Sequence, residues 1–342
     1  MTEMQICGYG SYVPRFRIKR ETIQEVWGHF QGNIKEKAVI GYDEDVCTMA
    51  VEAAKNAIAN AGADREEIAA IAIGTSSPPY ALRSIASEIA LAVGIRPDVR
   101  LVDFKESEKA GTTALLTCID TISTKGGKGL VVGSDAPTAV ASDSIENTYG
   151  ASAAALLLGK EKGNAIIEGA TSASSEIIAD RFRKEGSVLV EDLGIPQYHQ
   201  MDYINAIYQA VSQLLDNLGL SSSDFKYLFV QGHDIREPTR VLKKIGFDKK
   251  LLNTDTINLI GDSAAASVLT GIVGILERAN PDERILCASY GSGAGCDAVS
   301  ILVKEKQEIL ENIPLLTTYL ENKHYIDYNQ YLKFKELIDL EI

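Results

Sequence analysis

Two stretches of the chain share one pattern of apolar and polar positions. The first runs from Val51 (VEAAKNAIANAGADREEIAAIAIGTSS) and the second from Tyr208 (YQAVSQLLDNLGLSSSDFKYLFVQGHD). In each, apolar residues recur at helical spacing: Ala54, Ala57, Ile58 and Ala61, then Val211, Leu214, Leu215 and Leu218. A glycine follows, Gly62 or Gly219, where a helix ends on left-handed backbone. After a short turn with Asp64 or Asp224 comes an unbroken apolar strand, Ile68 to Ile73 or Tyr227 to Val230. Unbroken apolar character predicts a parallel sheet covered on both faces.

The parallel continues through a loop, a helix and a second glycine stop, Gly94 or Gly246. Each half then predicts a long helix from a small-residue cluster, at Ala110 or Gly261, and another buried strand, from Gly129 or Arg284. Agreement through successive elements reads as duplication. The expectation is an α/β protein of two similar halves, 1–165 and 166–305, each a mixed sheet with helices on both faces. A tail, 306–342, breaks the pattern with Tyr319, Tyr325, Tyr328 and Tyr331 among charges. It reads as an extended segment lying on a surface, the protein's own in preference to a partner's. Sites in such folds lie beyond the carboxyl ends of strands, which points to the loops 75–80, 104–111, 230–238 and 260–265.

With 342 residues, 45% hydrophobic and 24% charged, the chain has the balance of a globular protein. Its 47 acids against 34 bases, a net charge of −13, argue against nucleic acid and anionic membrane as partners. No apolar run reaches the roughly 18 residues of a membrane span. The start, MTEMQICGYG, lacks the pattern of a secretory signal, so a cytoplasmic location is expected. The five cysteines (Cys7, Cys47, Cys118, Cys287, Cys296) are odd in number and form no C-x-x-C. They read as small buried hydrophobes rather than disulfides. The four histidines lie far apart, so no metal site is expected.

Several motifs resemble the thiolase superfamily. GYGSYVPRFRI resembles the opening strand and turn of ketoacyl synthase III-like and hydroxymethylglutaryl-CoA synthase-like members, and YDEDVCTMAVEAAKNAI their first long helix. KAGTTAL resembles their nucleophile helix. SYGSGAGCDAVSI, with Gly291, Gly293 and Gly295, resembles the closing strand–turn–strand. The likeness covers nearly the whole chain. It is greatest to archaeal-type hydroxymethylglutaryl-CoA synthases and extends to the synthase-like subunit of the bacterial phloroglucinol acetyltransferase complex. It implies a layered αβαβα sandwich, a CoA thioester as ligand and no resident cofactor or metal.

The resemblance also implies a chemistry. A cysteine at a buried helix N-terminus takes an acyl group from CoA, helped by a histidine and an asparagine, while a glutamate moves protons. Carried over position by position, the cysteine before Lys-Ala-Gly is here Glu108. The histidine position holds Gln231, the asparagine position Asp262 and the glutamate position Ser76. Cys118 lies three turns deeper in the helix, facing packing.

At a helix start, Glu108 reads as a dipole-stabilised carboxylate, a poor nucleophile and base. Asp262 reads as an N-cap beside Ser263. If both line the old pocket they could couple as an acid/base pair or hold a cation, with Ser76 and Gln231 on the rim. His233 reads as an exposed loop histidine, with substrate binding as the alternative. Arg181 and Arg183 read as contacts to a CoA phosphate or as a solvated charge run. The functional expectation is a thiolase-fold subunit related to hydroxymethylglutaryl-CoA synthase that lacks the Cys/His/Asn/Glu set. It would act structurally or in regulation within a CoA-dependent, carbon–carbon bond-forming acyl-transfer complex. It would form a homodimer, or a heterodimer with a cysteine-bearing thiolase-fold subunit, with an OB-fold protein as a further partner. The alternatives are an acyltransferase, synthase-like enzyme or carbon–carbon lyase using Glu108 and Asp262, and an acyl-CoA-binding sensor.

Overall fold

The computed structural model describes residues 4–141, 143–161, 163–176, 180–308 and 310–338, without the side chains of Pro196 and Tyr198. Nine strands form the central sheet: β1 (Met4–Tyr12), β2 (Ile68–Gly74), β3 (Arg100–Phe104), β4 (Lys128–Asp135), β5 (Ser152–Gly159), β6 (Ala165–Ala173), β7 (Tyr227–Val230), β8 (Arg284–Gly291) and β9 (Gly295–Val303). Their order is β7-β8-β9-β6-β1-β5-β4-β2-β3. The halves repeat one topology. In the first, β2 is parallel to β3 and β4, and β4 and β1 run antiparallel to β5. In the second, β7 is parallel to β8, and β8 and β6 run antiparallel to β9. The counterpart of β3 shrinks to a parallel bridge between Leu228 and Leu252. Within this sheet, among the described residues, one short pairing joins the halves, Met4–Ile6 of β1 against Ala165–Ile167 of β6; outside it, 138–139 pairs with 189–190 and Tyr149 bridges to Asp262.

Strand side chains alternate between two faces, and here both faces are covered. Ala70 and Ala72 of β2 and Val131 of β4 face a central layer of two helices, α3 (Ala110–Lys125) and α6 (Ser267–Leu276). Ile285, Cys287, Val299 and Ile301 close on the same layer from the other half. The alternate residues Ile71, Ile73, Leu130 and Val132 meet the outer helices α1 (Val46–Asn60) and α2 (Ile85–Val93). Leu228, Val230, Leu286 and Ala288 meet α4 (Pro196–Leu218) and α5 (Arg236–Ile245). The result is five layers, helix–strand–helix–strand–helix. Gly94, Gly219 and Gly246 end α2, α4 and α5 in left-handed backbone.

Two expectations change. The long helix from Gly261 starts late: a 3-10 turn, Ala264–Ala266, precedes α6, because the Asp262 carboxylate takes the Ala264 N–H and bends the chain. The tail does lie on the protein's own surface, but as two short helices, α7 (Leu316–Glu321) and α8 (Tyr328–Phe334), rather than extended. Asp327 and Gln330 form a capping box that nucleates α8. Tyr331 is buried by it against Lys37 and Glu146, both 1% exposed. Its hydroxyl lies 3.0 Å from Lys37 Nζ and donates to the Glu146 carboxylate. Of the cysteines, Cys47, Cys118, Cys287 and Cys296 are buried and Cys7 is half-buried, and none is in a disulfide.

Candidate active site

Four loops converge where the two central helices meet. Close backbone approach allows it: a Cβ on Gly111 would lie 2.0 Å from the Ala265 carbonyl oxygen, so only glycine lets α3 start against the 262–265 loop. Glu108 and Asp262 therefore come together, joined by His233. One carboxylate oxygen from each and one imidazole nitrogen all lie within 4.8 Å of one another. His233 is buried, which corrects the exposed-loop reading. Its loop is drawn inward because the Glu237 carboxylate accepts the His233 N–H at 2.9 Å and Gly232 packs on Pro238, where a Cβ would sit 2.7 Å from Cδ.

The imidazole stands between the carboxylates. Nδ1 lies 3.0 Å from Asp262 Oδ2, and Nε2 faces Glu108 Oε1 at 3.9 Å. Asp262 is fixed on its other oxygen by the Ala264 N–H at 2.9 Å and the Ser267 hydroxyl at 2.8 Å. It thus caps the turn, as the sequence suggests, and also faces the site. Glu108 accepts a 2.6 Å hydrogen bond from the Tyr149 hydroxyl. Gln231 is buried beneath the site rather than on its rim. Its amide donates to the Glu108 and Ala264 carbonyls and accepts from Ser289, bracing the floor. Ser76 does line a cleft with Glu108. It is held by buried Asp135, which takes its N–H and hydroxyl at 2.7 Å and also the Ala265 N–H at 3.1 Å.

Arg181 is not a free surface contact. Its side chain is 8% exposed and donates from Nε to Asp192 at 2.9 Å. Burial opposes its charge, but Glu108 and Glu237 outweigh burial and hold it protonated. Arg183 is exposed and donates to the carbonyls of Ser187 and Ser76. Burial and Arg181 both push the His233 pKa down, yet Asp262 and Glu108 prevail and leave it above its ordinary value. Behind it, His199 bonds Glu237 at 3.1 Å and faces Asp180 at 3.4 Å. Burial is overcome by these acids and its pKa rises to about 9. Burial and Glu108 raise the Tyr149 pKa well above normal, so Tyr149 is a hydrogen-bond donor at neutral pH. Tyr149, Asp135, His199 and Glu237 escape sequence reasoning. Each belongs to a segment with no chemical motif and reaches the site only through the fold.

Curated relatives align end to end. The hydroxymethylglutaryl-CoA synthase of Methanopyrus kandleri is 38% identical over 344 residues, covering 97% of both chains. The chain belongs to the hydroxymethylglutaryl-CoA synthase family. The synthase of Thermococcus gammatolerans is 36% identical over 336 residues, covering 97% of this chain and 95% of that one. Solved structures share the family fold at lower identity. A hydroxymethylglutaryl-CoA synthase complexed with CoA has a TM-score of 0.84 at 19% identity, covering 97% of this chain and 90% of that one. The 3-oxoacyl-[acyl-carrier-protein] synthase III of Aquifex aeolicus has a TM-score of 0.79 at 17% identity, over 87% of this chain and 99% of that one. No protein-family model matches the chain. Within the hydroxymethylglutaryl-CoA synthase family fold, Glu108 stands immediately ahead of the cap of the central helix α3.

Proposed function

We propose that this member of the family acts on CoA thioesters by moving a proton at the α-carbon, without an acyl-enzyme. The observation that carries the reading is the gathering of half-buried Glu108 with buried His233 and Asp262 in one place. Ionisable groups are costly to bury, and a cleft in which two carboxylates flank one imidazole is a candidate for acid–base work. Glu108 serves as base, the acid/base alternative of the sequence rather than its reading as a poor base, because His233 stands between it and Asp262. His233, whose positive form is favoured by Asp262, and Arg181 stabilise the enolate oxygen, a division of labour between carboxylate base and positive electrophile. Position 108 offers no thiol, and Cys118 is buried behind it with a pKa pushed up to about 12 by burial. A cavity of about 260 Å³ lined by Gln31, His199, Tyr203, His233, Arg236 and Arg240 would admit the thioester arm. CoA as ligand draws support from the family relationship and from the CoA bound in a structural neighbour.

The test is solvent deuterium exchange into the methyl group of acetyl-CoA, together with intact mass of the protein. The expected result is exchange that falls about 100-fold or more in Glu108→Gln, with no acyl adduct. An acetyl adduct on any residue, or exchange unchanged in Glu108→Gln, overturns the reading. A second reading, a subunit that completes a catalytic partner, is favoured by the free edge of β3. It would be supported by exchange that occurs only after a cysteine-bearing thiolase-fold chain is added.

A further inference from the structure

An enzyme that parks an acyl group on a cysteine can admit two substrates in turn through one entrance. A site with no acyl-enzyme must hold both at once. Two cavities lie on either side of Arg181, which lines both. The larger is described above. The smaller, about 140 Å³, is lined by Ser76, Ser107, Glu108, Arg181 and Arg183, among others.

The walls of this smaller cleft hold donors without acceptors. Arg181 Nη1 and Ser107 Oγ are buried and have no hydrogen-bond partner among the described residues. An unmet buried donor is destabilising, and more so on a charged group. Arg183 donates only to backbone carbonyls, so among the described residues no carboxylate neutralises it. Two orphaned donors and an unneutralised guanidinium in one small cleft fit a carboxylate. Glu108 lines the same cleft, so a carbonyl carbon beside it would sit close to that carboxylate.

We propose that the smaller cleft seats the carboxylate of a second substrate, a small 2-oxo acid, beside the CoA thioester. This rests on the proton-transfer reading above. The step balances without a redox partner. Glu108 takes the α-proton of the thioester. The electron pair left on the α-carbon forms a bond to the ketone carbon of the oxo acid. The carbonyl π pair moves to oxygen, which takes the proton from His233. The reverse step cleaves the same carbon–carbon bond.

The test is calorimetric binding of pyruvate, oxaloacetate and 2-oxoglutarate to the full chain, with and without saturating acetyl-CoA. At least one oxo acid is expected to bind roughly tenfold or more tightly than its neutral methyl ester. Acetyl-CoA should not compete with it. In Arg183→Gln, a change at an exposed position, the acid-over-ester preference should fall below about twofold. Absence of binding by all three acids, equal affinity for acid and ester, competition with acetyl-CoA, or an unchanged preference in Arg183→Gln each overturns the inference. Deuterium exchange into acetyl-CoA alone reports separately on the underlying reading. Exchange without oxo-acid binding defeats this inference only, and loss of exchange defeats the reading beneath it.

Discussion

The buried histidines respond to pH in a direction fixed by their neighbours. His199 has an ordinary value of about 6.5 when unfolded and about 9 when folded, because Asp180 and Glu237 overcome its burial. A folded value above the unfolded one gives stability that is complete below about pH 6.5 and is lost as pH rises through about 9. His233 is shifted the same way. The unfolding free energy from urea titration should therefore fall over that window by an amount on the order of 3 kcal/mol, the midpoint falling with it, and His199→Gln should flatten the fall. A wild-type midpoint that is level from pH 6 to 10 would contradict this. At this scale the sequence exposes Glu108 and Asp262, since KAG and the small-residue run after Gly261 mark their places. It misplaces His233, whose direction depends on Glu237 holding a backbone N–H. It is silent on Tyr149, a tyrosine defined only by what it touches.

Strands and helices of the two halves are legible because burial on one face writes a period of 3.6 and burial on both writes an unbroken apolar run. The central helix α6 is legible, but not its start, since a side-chain cap inside AAA competes with helix there. The tail is least legible. Its helices have fewer than eight residues, too short for a periodic signal, and exist because they are packed. α8 holds Tyr331 over a buried lysine–glutamate pair. Burial pushes the Lys37 pKa down while Glu146 opposes it, so each hydrogen bond there is made out of contact with water. Tyr331→Phe removes one donor and one acceptor from that pair and should lower stability by about 1–3 kcal/mol. Thermal unfolding should show the loss with the far-UV spectrum of the folded state intact. An unchanged melting temperature would show that α8 is not fastened there.

At the scale of the molecule, the sheet has an unfinished margin. Among the described residues β3 pairs only with β2, and Leu101 on it is 36% exposed. Free apolar edges invite pairing with another chain. A second copy meeting β3 to β3 is the expected cover, within an interface of about 2,000–5,000 Å². Sedimentation at micromolar concentration should give a dimer, and Leu101→Asp should shift it to monomer. A stable wild-type monomer would remove this expectation. The opposite feature, the seam inside the sheet, bears on how the protein is made. β1 leaves the ribosome well before its partners on both sides, which lie roughly 150 residues later, at β5 and β6. At about 5–20 residues per second, that strand waits on the order of ten seconds with both edges bare. The strand that joins the two halves within the sheet is thus made long before either of its neighbours. The nascent chain is most exposed to misassembly at the very strand on which the joined architecture depends.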